Sequence, residues 1–221
     1  MTLADATAER FPKAHEPTLL RAIILHPTDD AFTDWLQVRH NYMIQRDWYT
    51  TEHDLDEYDD NQSTRHILLS NEKDQFVMGM RLTPMDQYDQ TLSWDMIADS
   101  TIQQQVQASG LLDQNRPVWD LTRLVPGAVT ARQRSDAVPQ LFGEGLRQCQ
   151  AAGDQNPLWV FVLDQDFAKV LASRQVDVTI LGSGIIGHDQ AESLFGCIEP
   201  AQLAAQHATV PFARQAMEPQ V

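Results

Sequence analysis

The stretch Pro117-Val118-Trp119-Asp120-Leu121-Thr122-Arg123-Leu124-Val125, closed by Pro126-Gly127, constrains the fold more than any other part of this chain. Prolines at both ends keep a helix from running through it, and Val118, Asp120, Thr122 and Leu124 alternate with Trp119, Leu121, Arg123 and Val125 as a strand requires. Residues three apart on a strand point to opposite faces. Asp120 and Arg123 therefore share a side only where a bulge or the strand end intervenes, and a bulge suits a place where backbone approaches a ligand.

Around this strand the pattern continues. Ala22-Ile23-Ile24-Leu25 reads as a first strand, and Phe32, Trp35, Leu36, Tyr42 and Met43 recur at near-helical spacing over 30–46 behind the cap residues Thr28-Asp29-Asp30. The acidic run 52–60 reads as a loop. His66-Ile67-Leu68-Leu69 and Phe76 to Leu82, separated by Asn71-Glu72-Lys73-Asp74, form an antiparallel hairpin. Helix over 93–108, helix over 136–152, strand over 158–163, helix over 165–174 and strands over 176–181 and 193–199 complete the series. Strands first and then alternating strand and helix predict an α/β (α+β) chain, a three-layer α-β-α sandwich around a mixed sheet. Residues 1–20 lack periodicity and read as a loosely ordered extension, 21–200 as the domain, and 201–221 as a C-terminal helix or tail.

Composition excludes several functions. With 16 Lys+Arg against 31 Asp+Glu, a net charge of −15, the chain lacks the clustered base that binds a polyphosphate, so no nucleic-acid partner is expected. No apolar run reaches the length of a membrane span, and the two cysteines, Cys149 and Cys197, have no ligand or disulfide spacing; a cytoplasmic protein without metal or membrane partner is the expectation. The charge is uneven. Residues 1–115 hold 8 basic and 20 acidic side chains, 116–174 hold 7 and 6, and 175–221 hold 1 and 5, so an acidic macromolecule meets no net repulsion only in the middle segment.

The common catalytic signatures are absent: no GxSxG, Walker A or HExxH. Gly182-Ser183-Gly184-Ile185-Ile186-Gly187 spells GxGxxG but has no helix pattern behind it, and reads as a flexible turn before a phosphate cradle. What remains is a scattered polar set: Asp54, Asp56 and Asp59 in the acidic loop, Arg81 on an apolar strand, and Asp120 with Arg123 on another. Taken alone, they fit a buried ion network as well as a catalytic site.

Arg39, Trp48, Asp54-Leu55-Asp56-Glu57-Tyr58-Asp59, Gly79-Met80-Arg81-Leu82 and Val118-Trp119-Asp120-Leu121-Thr122-Arg123, in that order, resemble the acyl-homoserine-lactone synthase (autoinducer synthase) family. The likeness runs from about Ala22 to Glu199. Asp54 and Asp120 stand where that family carries Glu, and Met43 where it carries an aromatic residue. The resemblance implies the fold of GCN5-related N-acetyltransferases, whose central strands splay into a cleft for an acyl-phosphopantetheine arm.

It also implies an activity, for quorum sensing: the amine of S-adenosylmethionine takes an acyl group from acyl carrier protein, and lactone closure releases methylthioadenosine. No cofactor is required, S-adenosylmethionine being a substrate. Asp120 becomes the expected base, Asp56, Asp59, Arg81 and Arg123 its supporting catalytic set, and Arg39, Met43, Trp48 and Asp54 the S-adenosylmethionine side. Leu158, Val160, Val162 and Phe167 are expected to line an acyl pocket, with ordinary core as the plainer reading. Arg132, Arg134, Arg147, Lys169 and Arg174 are the expected docking cations for an acidic carrier. The alternatives are an N-acyltransferase of the same fold using another amine, with acyl-CoA or carrier protein as donor, and a non-catalytic binding domain.

Overall fold

Asn71 turns the first hairpin by accepting the backbone N–H groups of Lys73 and Gln75 on its side-chain oxygen, while Asp74 takes a left-handed backbone with φ 57°. The turn joins β2 (Arg65–Ser70) to β3 (Phe76–Met85) in the computed structural model, which describes residues 20–45, 56, 58–59, 61–98, 101–110, 116–174, 176–185 and 192–200. Residues 1–19 of the predicted extension 1–20 and the tail 201–221 lie outside the described residues, as do Trp48 and Asp54.

The other strands are β1 (Arg21–Leu25), β4 (Val118–Pro126), β5 (Leu158–Asp164), β6 (Thr179–Ile185) and β7 (Glu192–Ile198). They form one sheet in the order β1-β2-β3-β4-β5-β7-β6, antiparallel throughout except for the parallel pair β4–β5. Helices α1 (Phe32–Gln45), α2 (Leu92–Met96) and α3 (Thr101–Ser109) cover one face; α4 (Ala131–Ala151) and α5 (Gln165–Ser173) cover the other. This is the expected three-layer α-β-α sandwich. Among the described residues no helix is long and apolar enough to cross a membrane.

Three expectations need correction. The pattern over 93–108 is two helices, α2 and α3. Helix α4 begins five residues before 136, because Thr130 and Gln133 form a reciprocal capping box, and Pro139 sits inside the helix. The Gly182–Gly184 segment is neither turn nor cradle: it belongs to strand β6. A Cβ at Gly182 would stand 2.9 Å from Ile102 Cγ2, so glycine lets α3 lie directly on the strand.

Candidate active site

Strand β4 is the axis of the site. Its pairing with β3 slips between Gly79, opposite Val125, and Arg81, opposite Thr122, so β4 carries one extra residue there. Arg123 occupies that bulge with φ 55°, a left-handed backbone that L-residues seldom adopt. On the other side β4 pairs with β5 only through Val118, Trp119 and Asp120, opposite Leu158, Trp159 and Val160. Beyond Asp120 the two strands have no register partners, so the sheet opens between them, as the splayed cleft expected from the sequence requires.

Helix α1 brings the first charged group. Phe32, Trp35, Arg39 and Met43 share its buried face at helical spacing, so Arg39 enters the interior along an apolar stripe. Its Nη1 and Nη2 donate to Asp59 Oδ1 and Oδ2 at 2.7 and 2.6 Å, a fully buried bidentate pair. Arg81 Nη1 donates to Asp59 Oδ1 at 2.8 Å and to Asp56 Oδ1 at 2.5 Å, and its Nε donates to Thr122 Oγ1 at 3.0 Å. The bulge turns Arg123 toward the same loop, where its Nη2 donates to Asp56 Oδ2 at 2.8 Å. Tyr58 lies under Arg81 with its ring centroid 5.6 Å from the guanidinium carbon.

Burial alone would raise the Asp59 carboxyl, but Arg39 and Arg81 reverse that and hold it well below the usual carboxylate range. His66 lies beside it, Nε2 at 3.7 Å from Asp59 Oδ1, and accepts the Trp35 indole N–H on Nδ1 at 3.1 Å. Burial pushes His66 down to about 3, so it is a neutral wall of this cage.

Asp120 sits in a different setting. It faces Thr83 of β3 across the ladder and is almost fully buried. Ser93 Oγ donates to its Oδ1 at 2.5 Å and the Ser93 N–H to its Oδ2 at 3.3 Å. Helix α2 presents these donors because Thr91 caps it, accepting the Trp94 N–H. Burial pushes the Asp120 carboxyl up to about 6, partly offset by Ser93 and by the charge of Arg81. Tyr58 links the two settings: its hydroxyl lies 3.3 Å from Asp95 Oδ2 of α2.

Of the remaining expected site residues, Leu158 and Val160 are buried under α2 and α3, with Val162 partly buried beside them. Phe167 packs on the opposite face, under α4 and α5, so the structure does not bring it to the other three. Met43 is core between α1 and the sheet. Arg132, Arg134 and Arg174 gather near the start of α4, where Arg174 reaches Asp136 at 3.3 Å. Arg147 stands about 20 Å along the same helix and is paired to Glu144; Lys169 is fully exposed and paired to Asp166 at 2.8 Å. Sequence reasoning missed Ser93, Tyr58 and His66. Only Ser93 left a signal, in the cap-like Thr91 two residues before it.

By sequence, no protein-family model matches the chain and no curated protein matches it. By structure, many solved proteins do. MesI, a CoA-dependent acyl-homoserine lactone synthase, superposes with a TM-score of 0.56 at 16% identity, covering 89% of this chain and 92% of MesI. The chain has the fold of the acyl-homoserine-lactone synthases. BjaI, a CoA-dependent synthase solved with MTA, gives 0.57 at 17% identity and 92% coverage of both chains. FeeM, an N-acyl amino acid synthase from uncultured soil microbes, gives 0.58 at 12% identity, covering 90% of this chain and 98% of FeeM.

Proposed function

We propose that the protein is an acyltransferase that acylates S-adenosylmethionine and closes the product to an acyl-homoserine lactone. The observation that carries this reading is the opening of the sheet at Asp120: a buried carboxyl, pushed up by burial to about 6, stands where β4 and β5 part, with the Asp56–Asp59–arginine cage beside it.

The amine enters as an ammonium ion, and Asp120 takes one proton from it, directly or through a water, to free the nitrogen lone pair. The lone pair forms the C–N bond at the thioester carbonyl carbon. As the adduct collapses the C–S bond breaks, the departing thiolate takes the second nitrogen proton, and Asp120 releases the first to solvent. Backbone N–H groups facing the opened gap supply the oxyanion donors. Closure then needs geometry alone: the methionyl carboxylate displaces methylthioadenosine from the γ-carbon, already activated by the sulfonium. Asp56 carries the negative charge nearest the surface of the cage and faces the sulfonium side; Arg81 and Arg123 fix it there.

The donor is an acyl carrier protein, with Arg132, Arg134 and Arg174 as the docking cations. Arg147 and Lys169 are paired to Glu144 and Asp166, whereas Arg132 and Arg174 share the single carboxylate of Asp136. A second reading, acylation of a different amine without lactone closure, is favoured by the shortened Asp120 and by the overlap with FeeM.

Purified protein incubated with S-adenosylmethionine and either acyl carrier protein or CoA thioesters tests both. Mass spectrometry is expected to find methylthioadenosine and an acyl lactone that activates a lactone-responsive reporter. Acylated amine without methylthioadenosine supports the second reading, and no thiol release with any donor and amine rejects both.

A further inference from the structure

Asp120 has a constraint that a base on a strand does not ordinarily have. Both of its oxygens are held by one residue of another element: Oδ1 by the Ser93 hydroxyl at 2.5 Å and Oδ2 by the Ser93 N–H at 3.3 Å. Ser93 is itself fully buried. Thr91 and the first turn of α2 set its position, and Trp94, the next residue, packs against Phe195 of β7 in the core beneath. The pairing spans 27 residues of chain and two elements.

The charged surroundings of Asp120 are few among the described residues. β3 presents Arg81 and the neutral Thr83, β5 presents Val160, and α2 presents Ser93, its Asp95 being turned to Tyr58. On β4 itself Arg123 is directed to Asp56. Arg81 already serves Asp56 and Asp59. Ser93 is therefore the residue whose side chain donates to Asp120, beside the main-chain N–H groups of Leu92 and Ser93 itself, and such donors are what keep a buried carboxylate charged.

We propose that Ser93 is a positioning residue for acyl transfer, whose hydroxyl and amide hold both oxygens of Asp120 so that the carboxylate stays ionised and aligned where β4 and β5 part. This rests on the reading of Asp120 as the base. A carboxylate one methylene shorter than glutamate reaches less far, and a fixed partner removes the rotational freedom that would misalign it further.

The test is the pH dependence of thiol release by the wild type, Ser93→Ala and Ser93→Thr with an acyl thioester and S-adenosylmethionine. Loss of the hydroxyl raises the Asp120 carboxyl, so Ser93→Ala is expected to move the acid limb up by about one pH unit. Its activity then falls about threefold near pH 6.5 and about eightfold near pH 5.5, and returns to about the wild-type level near pH 8.5. Ser93→Thr keeps the donor and stays within about twofold throughout. A loss in Ser93→Ala that is the same at every pH, or no loss, overturns the proposal. Ser93→Cys, close in volume with a weaker donor, carries the same expectation where Ser93→Ala does not fold.

A carboxyl titration of the free protein followed by carbon NMR separates this inference from the functional reading. An unmoved Asp120 resonance in Ser93→Ala rejects the Ser93 assignment even in an active enzyme. A wild type that transfers no acyl group to any amine rejects the catalytic role, whatever the titration shows.

Discussion

Asp59 and Asp120 are both buried aspartates on the same side of one sheet, yet their carboxyls move in opposite directions. Burial raises each. Around Asp59 two guanidinium groups more than reverse that, and the charge is locked in place; around Asp120 the Ser93 hydroxyl, the charge of Arg81 without a direct bond, and the Ser93 and Leu92 amides offset it only in part, and the group is left at about 6. A carboxylate with two arginines is a structural anchor, since a proton would have to displace bonds to permanent cations. A carboxylate with neutral donors can exchange protons at working pH. The comparison shows how one sequence makes a locked charge and a titratable carboxyl from the same residue type, by choosing the partner.

The sharpest way to break the comparison is to remove an arginine from the anchor. Arg39→Ala leaves Asp59 buried with one partner lost and is expected to destabilise the fold by about 3–5 kcal/mol in urea unfolding. Next in size is Asp120→Asn: thiol release falls at least about tenfold while the unfolding midpoint holds or rises, because a costly buried charge has gone. A fall in both would make Asp120 a second anchor.

The pH dependences follow with opposite signs. Asp59, held below its ordinary value of 3.8, contributes stability present above that value and lost as pH falls beneath it. Asp120, raised to about 6 in the folded protein, favours folding below 3.8, and that contribution is lost as pH rises through 6. Activity therefore drops below about pH 6 while the fold persists, and Asp120→Asn flattens the stability change between 3.8 and 6. Calorimetry and initial rates across that window check both. The smallest effect belongs to the far rim. Arg132→Glu with Arg134→Glu is expected to raise the apparent KM for carrier-bound acyl groups several-fold, about 1 kcal/mol, without changing KM for S-adenosylmethionine or for a CoA thioester.

Much of this was legible in the chain. The proline-bounded strand, the Asn71–Asp74 hairpin and the alternation of later elements depend on local chemistry, and they formed where local chemistry put them. The bulge was half legible too, because Asp120 and Arg123 three apart posed a parity conflict that a bulge or the strand end resolves, and β4 resolves it with a bulge. What local pattern could not supply was spacing imposed from elsewhere. Gly182 is in a strand where α3 lies directly on it, and α4 starts early because Thr130 and Gln133 cap each other. In the site, Arg39 was legible through the family motifs. Ser93 left only the cap-like Thr91 before it, since a buried serine acquires its meaning from a carboxylate on another element.

The short contact between β4 and β5 has a consequence for how the protein can be dissected. Past Asp120 and Val160, the backbone groups of these strands that point into the gap have no ladder partner across it among the described residues. If peptide N–H groups polarise the thioester carbonyl there, as proposed, an alanine scan is blind to them: every variant keeps the same main-chain donors. Only a change in the chain itself, such as a proline that deletes an N–H or a backbone ester installed by semisynthesis, can subtract one. The half of the machinery that mutagenesis surveys most easily is then the half that holds and tunes, while the opening between the strands is written in atoms that every residue shares.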